Sequence, residues 1–182
     1  SSAQFVVKPA GLCLLAEDMD GAGPRSPDCG AGNDTCNVYM EVDGSFNLQL
    51  SARAWVNDSE SNTDFCDNAI TPNFILNNIP ISSTVVAPGG GSNGNLTPAT
   101  MSIDSAGTTT QSVTQSEVGV FTFTAAAPSY IGQTIANSRT ANVGRFIPDH
   151  FIIENDSLVA ATGSFSYLGQ AFTAQFDIRA VD

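Results

Sequence analysis

An all-β, immunoglobulin-like sandwich is the fold class this sequence predicts, and three observations predict it. Apolar and polar residues alternate with period two in short runs, as in half-buried antiparallel strands. No segment of 12 or more residues places apolar positions at i, i+3, i+4 and i+7 with caps, so any helix is short. The runs recur at roughly 8 to 12-residue spacing, punctuated by Gly, Pro, Asn and Asp, which is the rhythm of a sandwich with Greek-key connections.

Taken in chain order, strands are expected at residues 5–7, 12–16, 45–55, 74–81, 84–86, 101–103, 118–125, 131–143, 151–153 and 172–181. The clearest is 45–55, where Phe46, Leu48, Leu50, Ala52 and Ala54 share one face and Asn47, Gln49, Ser51 and Arg53 the other. Around 118–125, Val118, Val120 and the two phenylalanines alternate about Thr122 as a central strand should, after a Glu-Val-Gly turn of the kind that leads into the sixth strand of immunoglobulin-like modules. A short internal repeat adds a second level of organisation. Phe46, Gln49, Arg53 and Ala54 recur as Phe172, Gln175, Arg179 and Ala180 at an offset of 126, and residues 5–7 align with 151–153 at an offset of 146. The first copy then carries about 20 extra residues between its strands, matching the acidic, cysteine-bearing stretch 17–37. Residues 1–146 therefore read as one module with an insertion at 17–37, and 147–182 as the first strands of a second, joined through a stiffening Pro148. Two strands cannot close a sandwich core, so 147–182 is expected to pack on the first module or to pair with another copy.

Eighteen Asp and Glu against six Lys and Arg give a formal charge of −12 over 182 residues. Binding to nucleic acid needs clustered cations, and the only lysine is Lys8, so that class is excluded; an anionic membrane surface is disfavoured for the same reason. No stretch approaches the apolar length of a spanning helix, so no membrane insertion is expected. The opening Ser1-Ser2-Ala3-Gln4 has neither Met nor a signal-peptide pattern and reads as an excised piece of a longer protein. Cys13, Cys29, Cys36 and Cys66 form an even set, read as two disulfides of an oxidising compartment, and the localisation expected is extracellular or at the cell surface. Of three pairings, Cys29–Cys36, closing a small Gly/Asn/Asp loop, together with Cys13–Cys66 is favoured. A four-thiolate zinc site is the competing reading, but it usually employs closely paired knuckles that this spacing lacks.

No constellation of residues makes a case for catalysis. His150 is the only histidine and reads as a junction residue between modules. Gly90-Gly91-Ser92-Asn93-Gly94 fits G-x-S-x-G, but it lies in a turn-rich loop and not between a strand and a helix. The carboxylate pairs Asp18/Asp20, Asp58/Glu60 and Asp64/Asp67 read first as solvated loops, since no apolar pocket is evident beside them. Calcium is the sharper reading of these oxygens. Asp18, Asp20, Asp28, Asp34, Asp64 and Asp67 are its candidates, although an EF-hand alignment fails where Cys29 stands in place of the last Glu. Trp55, the only tryptophan, is expected to cap the core edge, with a sugar-stacking role as the alternative. Sequons at Asn33, Asn57, Asn95 and Asn155 mark surface loops if the source glycosylates.

Several runs together carry a resemblance: residues 5–13, 64–68, 71–74 and 86–90, and most specifically Ser116-Glu-Val-Gly-Val-Phe-Thr-Phe-Thr124 and Asn142-Val-Gly-Arg-Phe-Ile-Pro-Asp-His-Phe151. They resemble the conserved region of the MshQ family, encoded with the biogenesis genes of the mannose-sensitive haemagglutinin pilus, a type IV pilus of Gram-negative bacteria. The resemblance implies an exported, surface-exposed or pilus-associated protein, often with a lectin-like domain elsewhere, and no catalytic residues. The expectation is a non-enzymatic module acting by contact with pilus or other surface proteins or as a spacer, without a cofactor. The alternative is a calcium-dependent, glycan-binding module.

Overall fold

The computed structural model describes residues 5–17, 27–57 and 65–181. Twelve strands follow in order: β1 (Gly11–Ala16), β2 (Met40–Glu41), β3 (Ser45–Arg53), β4 (Leu76–Ala87), β5 (Leu96–Thr97), β6 (Thr100–Ile103), β7 (Thr108–Gln115), β8 (Gly119–Ala125), β9 (Ser138–Arg139), β10 (Val143–Ile147), β11 (His150–Val159) and β12 (Thr173–Val181). The fold is all-β, as the period-two patterning requires. The chain divides into two compact units, Ser1–Ile147 and Pro148–Asp182.

In the first unit, one sheet has the order β1-β3-β7-β5 and the other β2-β10-β8-β4-β6, with β9 also on β8. Taking β1, β3, β4, β5, β7, β8 and β10 as strands A to G, this is the A-B-E-D and G-F-C arrangement of the immunoglobulin sandwich. Alternation in β3 turns Phe46, Leu48, Leu50 and Ala52 inward, and Leu12 and Leu14 of β1 join them. The opposing sheet answers with Ile79, Ile81, Met101, Ile103, Phe121, Phe123 and Phe146, all buried. Phe46 meets Phe123 across the layers at 5.5 Å and Phe146 at 5.4 Å, so aromatic rings weld strands B, F and G into one core. Side chains also bridge the layers: Leu14 N donates to Ser138 Oγ (2.8 Å), tying β1 to β9.

Two disulfides fasten the loops. Cys13 in β1 is bonded to Cys66, and Cys29 to Cys36. The end of the 17–37 insertion is laced to the outer edge of β10: Cys29 N donates to Asn142 O, Gly144 N to Pro27 O, Arg145 N to Asn37 O and Tyr39 N to Arg145 O. A sheet edge that would otherwise be open is thereby covered.

The second unit is a two-stranded antiparallel sheet, β11 with β12. Its register repeats that of β1 and β3. Ile153 stands opposite Ile178 as Leu12 stands opposite Ala52, and Ile178 and Ala52 are the positions that the 126-residue repeat equates. A bulge between Glu154 and Ser157 takes up one extra residue, with Asn155 in the left-handed region (φ 52°) that Asn tolerates better than most residues.

Several element expectations are corrected. Residues 5–7 form no strand and stand exposed, so the counterpart of 151–153 is the segment around Ala10 to Leu12 and the insertion is shorter than about 20 residues. The runs 74–81 and 84–86 are one strand, β4, carried through Pro80, whose carbonyl accepts from Ala126 N. Residues 131–143 contain only the two-residue β9 and the start of β10; the segment opens instead with a tight turn at Ile131 and Gly132, both at positive φ. β7 escaped the periodicity altogether because three of its four inward positions, Thr109, Gln111 and Gln115, are polar.

Candidate functional site

Of the calcium candidates, Asp18, Asp20 and Asp64 lie outside the described residues. Asp28 forms an isolated antiparallel bridge with Val143, Asp34 sits in the loop closed by Cys29–Cys36, and Asp67 follows the Cys13–Cys66 bridge. Among the described residues, no three His, Cys, Asp or Glu side chains are grouped so as to hold a metal ion. Ser92 lies in the loop between β4 and β5, and its Oγ accepts from Gly94 N within its own turn (3.1 Å). His150 Nδ1 is 2.7 Å from the carboxylate of its neighbour Asp149, with both side chains about half exposed, at 54% and 55%. Trp55 does not cap the core: β3 ends at Arg53, and the indole beyond it is 56% exposed.

The structure assembles a groove of about 400 Å³ between residues 7–9, residues 70–74 and Tyr130. Thr71 N donates to Ala52 O at the end of β3 and Phe74 N to Thr71 O, fixing the turn that presents Pro72 and Asn73 to it. One wall is the ring pair Phe74 and Tyr130, with centroids 5.0 Å apart and planes tilted by 54°. Across from it run Val7, Lys8 and Pro9, with Lys8 Nζ donating to Thr134 O (2.7 Å). Phe74 is buried in the core, so the groove's aromatic surface is the half-buried Tyr130 ring; with Pro9, Pro72 and the Lys8 ammonium it suits a small apolar or peptide ligand, not a polyanion. Sequence reasoning weighed Trp55 for stacking only as the alternative to core capping, and passed over Tyr130 and the Phe74 behind it. They are 56 residues apart in the chain, Phe74 opening the expected strand 74–81 and Tyr130 lying just outside the expected strand 131–143, so no local signal pairs them.

A second groove of about 300 Å³ lies where the 29–36 loop meets the start of β8. Arg145 Nη1 donates to Asp34 O at its rim (3.0 Å), while Arg145 Nε is buried without a hydrogen-bond partner. The same arginine stands in the Gly-Arg-Phe-Ile-Pro run that marked the sequence, and here it holds the disulfide loop against β10.

Among the described residues no helix is long and apolar enough to cross a membrane. The two disulfides are consistent with an extracellular location. No curated protein and no solved structure matches the chain. Family models do: residues 8–116 match DUF6701, second domain, and residues 117–182 match DUF6701, third domain. The junction between the two matches falls just ahead of β8, inside the first folded unit. Matched over nearly its whole length by two consecutive domains of one family, the chain belongs to the DUF6701 family.

Proposed function

We propose that this chain is a non-enzymatic module of an exported bacterial surface or pilus-associated protein, of the kind the MshQ resemblance implies, acting by protein–protein contact or as a spacer. The observation that carries this reading is the modular organisation: a disulfide-fastened sandwich followed by a hairpin that repeats its first two long strands in register. Tandem β modules on short junctions suit a stalk that holds a binding surface away from the cell. The residues that suggested chemistry have local roles, Ser92 within a turn and His150 beside Asp149. Binding of the oxidised chain to intact type IV pili, measured beside a panel of immobilised glycans, tests it. Saturable binding to pili alone supports a docking role, and turnover of any substrate panel overturns the non-enzymatic reading.

The second reading, a calcium-dependent glycan-binding module, draws on the groove in which Tyr130, backed by the buried Phe74, offers a half-buried ring to a sugar. A melting temperature unmoved by chelator removes the calcium part, and silence on the glycan panel removes the rest.

A further inference from the structure

The groove beside the 29–36 loop sets opposite charges over an apolar floor. Alternation in β8 sends Phe121 and Phe123 into the core and Val120 to the other face of the sheet, yet Val120 is only 1% exposed. The loop closed by Cys29–Cys36 lies over that face, close enough that a Cβ at Gly32 would come within 3.3 Å of Val86 Cγ1. Between loop and sheet a groove of about 300 Å³ remains, with Ala87, Pro88 and Val120 as its apolar lining and Asn33, Asp34 and Arg145 as its polar one. All of it lies in the first unit. Arg145 bonds the backbone carbonyl of Asp34 through Nη1 (3.0 Å), not the carboxylate. Its Nε is buried without a partner, and Nη2 makes no hydrogen bond among the described residues, so a half-buried guanidinium spends one of its five donors. Arg145 and Asp34 share this groove, and among the described residues neither has an ion-pair partner. Asn33 Oδ1 is occupied by Thr35 N (2.9 Å) and Thr35 Oγ1 (2.7 Å), which leaves the N–H donors of its Nδ2 unspent.

An apolar cleft bordered by one cation and one anion, not paired with each other, complements a molecule that carries both charges beside an apolar group. We infer that this groove binds a free α-amino acid with an apolar side chain, as its zwitterion. The ligand carboxylate meets Arg145 Nη2 and Asn33 Nδ2, in charge-assisted bonds that are stronger than neutral ones. Its ammonium meets the Asp34 carboxylate, and its side chain lies on Pro88 and Val120, where apolar surface leaves water. Charge complementarity selects this occupant. A bare anion would face Asp34, in a chain whose net charge is already −12, and a bare cation would face Arg145. A zwitterion answers both charges and adds none. Size agrees, because pockets for small ligands run from roughly 300 to 1,000 Å³ and this one, at about 300 Å³, has room for a single amino acid. The inference goes beyond the proposed function and does not rest on it: a spacer, a pilus-docking module or a lectin could each carry such a site.

The test is a titration of the oxidised 182-residue chain with L-phenylalanine and, separately, L-leucine, followed by calorimetry and amide chemical shifts. The expected result is saturable binding, with shifts at Asn33, Asp34, Val120 and Arg145 and none at Thr71, Asn73 or Tyr130 of the other groove. Hydrocinnamate, which lacks the ammonium, and phenethylamine, which lacks the carboxylate, should each bind at least about tenfold more weakly than L-phenylalanine, the loss of one charged hydrogen bond. Asp34→Asn keeps the backbone carbonyl that Arg145 bonds and should bring L-phenylalanine down to the level of hydrocinnamate. Arg145→Lys should weaken both carboxylates and leave phenethylamine unchanged. Near-ultraviolet circular dichroism that matches the wild type in both variants separates a lost contact from a loosened loop. Absence of saturable binding, shifts confined to other surfaces, or an affinity for L-phenylalanine unchanged in Asp34→Asn overturns the proposal. Hydrocinnamate binding as tightly as L-phenylalanine overturns it in favour of a simple carboxylate site, and phenylalanyl-glycine amide binding as tightly does so in favour of a peptide N-terminus. Failure to bind pili or glycans bears on the proposed function and leaves this result untouched.

Discussion

Gly11 and Phe65 share one space: the buried Phe65 ring lies over the α-carbon of Gly11, so that a Cβ at Gly11 would collide with Cδ2 of the ring. The contact sits two residues from Cys13 on one chain segment and one from Cys66 on the other, and the disulfide holds the two together. Gly11→Ala must displace either a sealed aromatic or β1. Overpacking of this kind costs typically about 1–3 kcal/mol, and a melting curve unchanged from wild type would contradict the packing described.

The two bridges should differ in their contribution. Cys13–Cys66 spans 53 residues of sequence and Cys29–Cys36 only 7. Loop-closure entropy assigns about 4 kcal/mol to the first and about 2 kcal/mol to the second. Denaturant unfolding of Cys13→Ser/Cys66→Ser should therefore show the larger loss, and Cys29→Ser/Cys36→Ser the smaller. Equal losses, or the reverse order, would refute this ranking.

Residues 8–116 are expected not to fold alone, although one family model spans them. They lack β8, the strand between β4 and β10, and with it Phe121 and Phe123, both fully buried, as well as Phe146 of β10. Residues 5–147 should unfold as one cooperative transition. Within that fragment, Phe123→Ala should lose about 3–5 kcal/mol. Well-dispersed amide resonances from 8–116 alone would show that the sandwich closes without its sixth and seventh strands.

Buried polar groups offer a paired test of opposite sign. Thr122 is buried in β8, and its Oγ1 has no hydrogen-bond partner, so Thr122→Val removes an unsatisfied hydroxyl at nearly constant shape. Stability should hold or rise, by up to about 1 kcal/mol. Ser138 Oγ accepts from the buried Leu14 N, so Ser138→Ala strands that donor and should cost about 1–3 kcal/mol. Calorimetry on both variants checks the signs; a stabilised Ser138→Ala would remove the inter-sheet role given to Ser138.

The sequence by itself determined the all-β class, since alternation at residues 45–55 and 118–125 has the two-residue period of a pleated strand and no run has a helical one. It also determined the repeat between residues 46–54 and 172–180, because identity at Phe, Gln, Arg and Ala is a property of the string. Only the tertiary structure decided what depends on distant neighbours. β7 is a strand because β3 and β5 flank it, whatever its polar inward side chains suggest, and Trp55 is exposed because β3 stops before reaching it. The groove at Phe74 and Tyr130 exists because the 70–74 segment and the 130–133 turn converge in space, a closeness that separation along the chain conceals. Whether an apolar face is core or surface is likewise settled by what lies opposite it. In the first unit that is a second sheet.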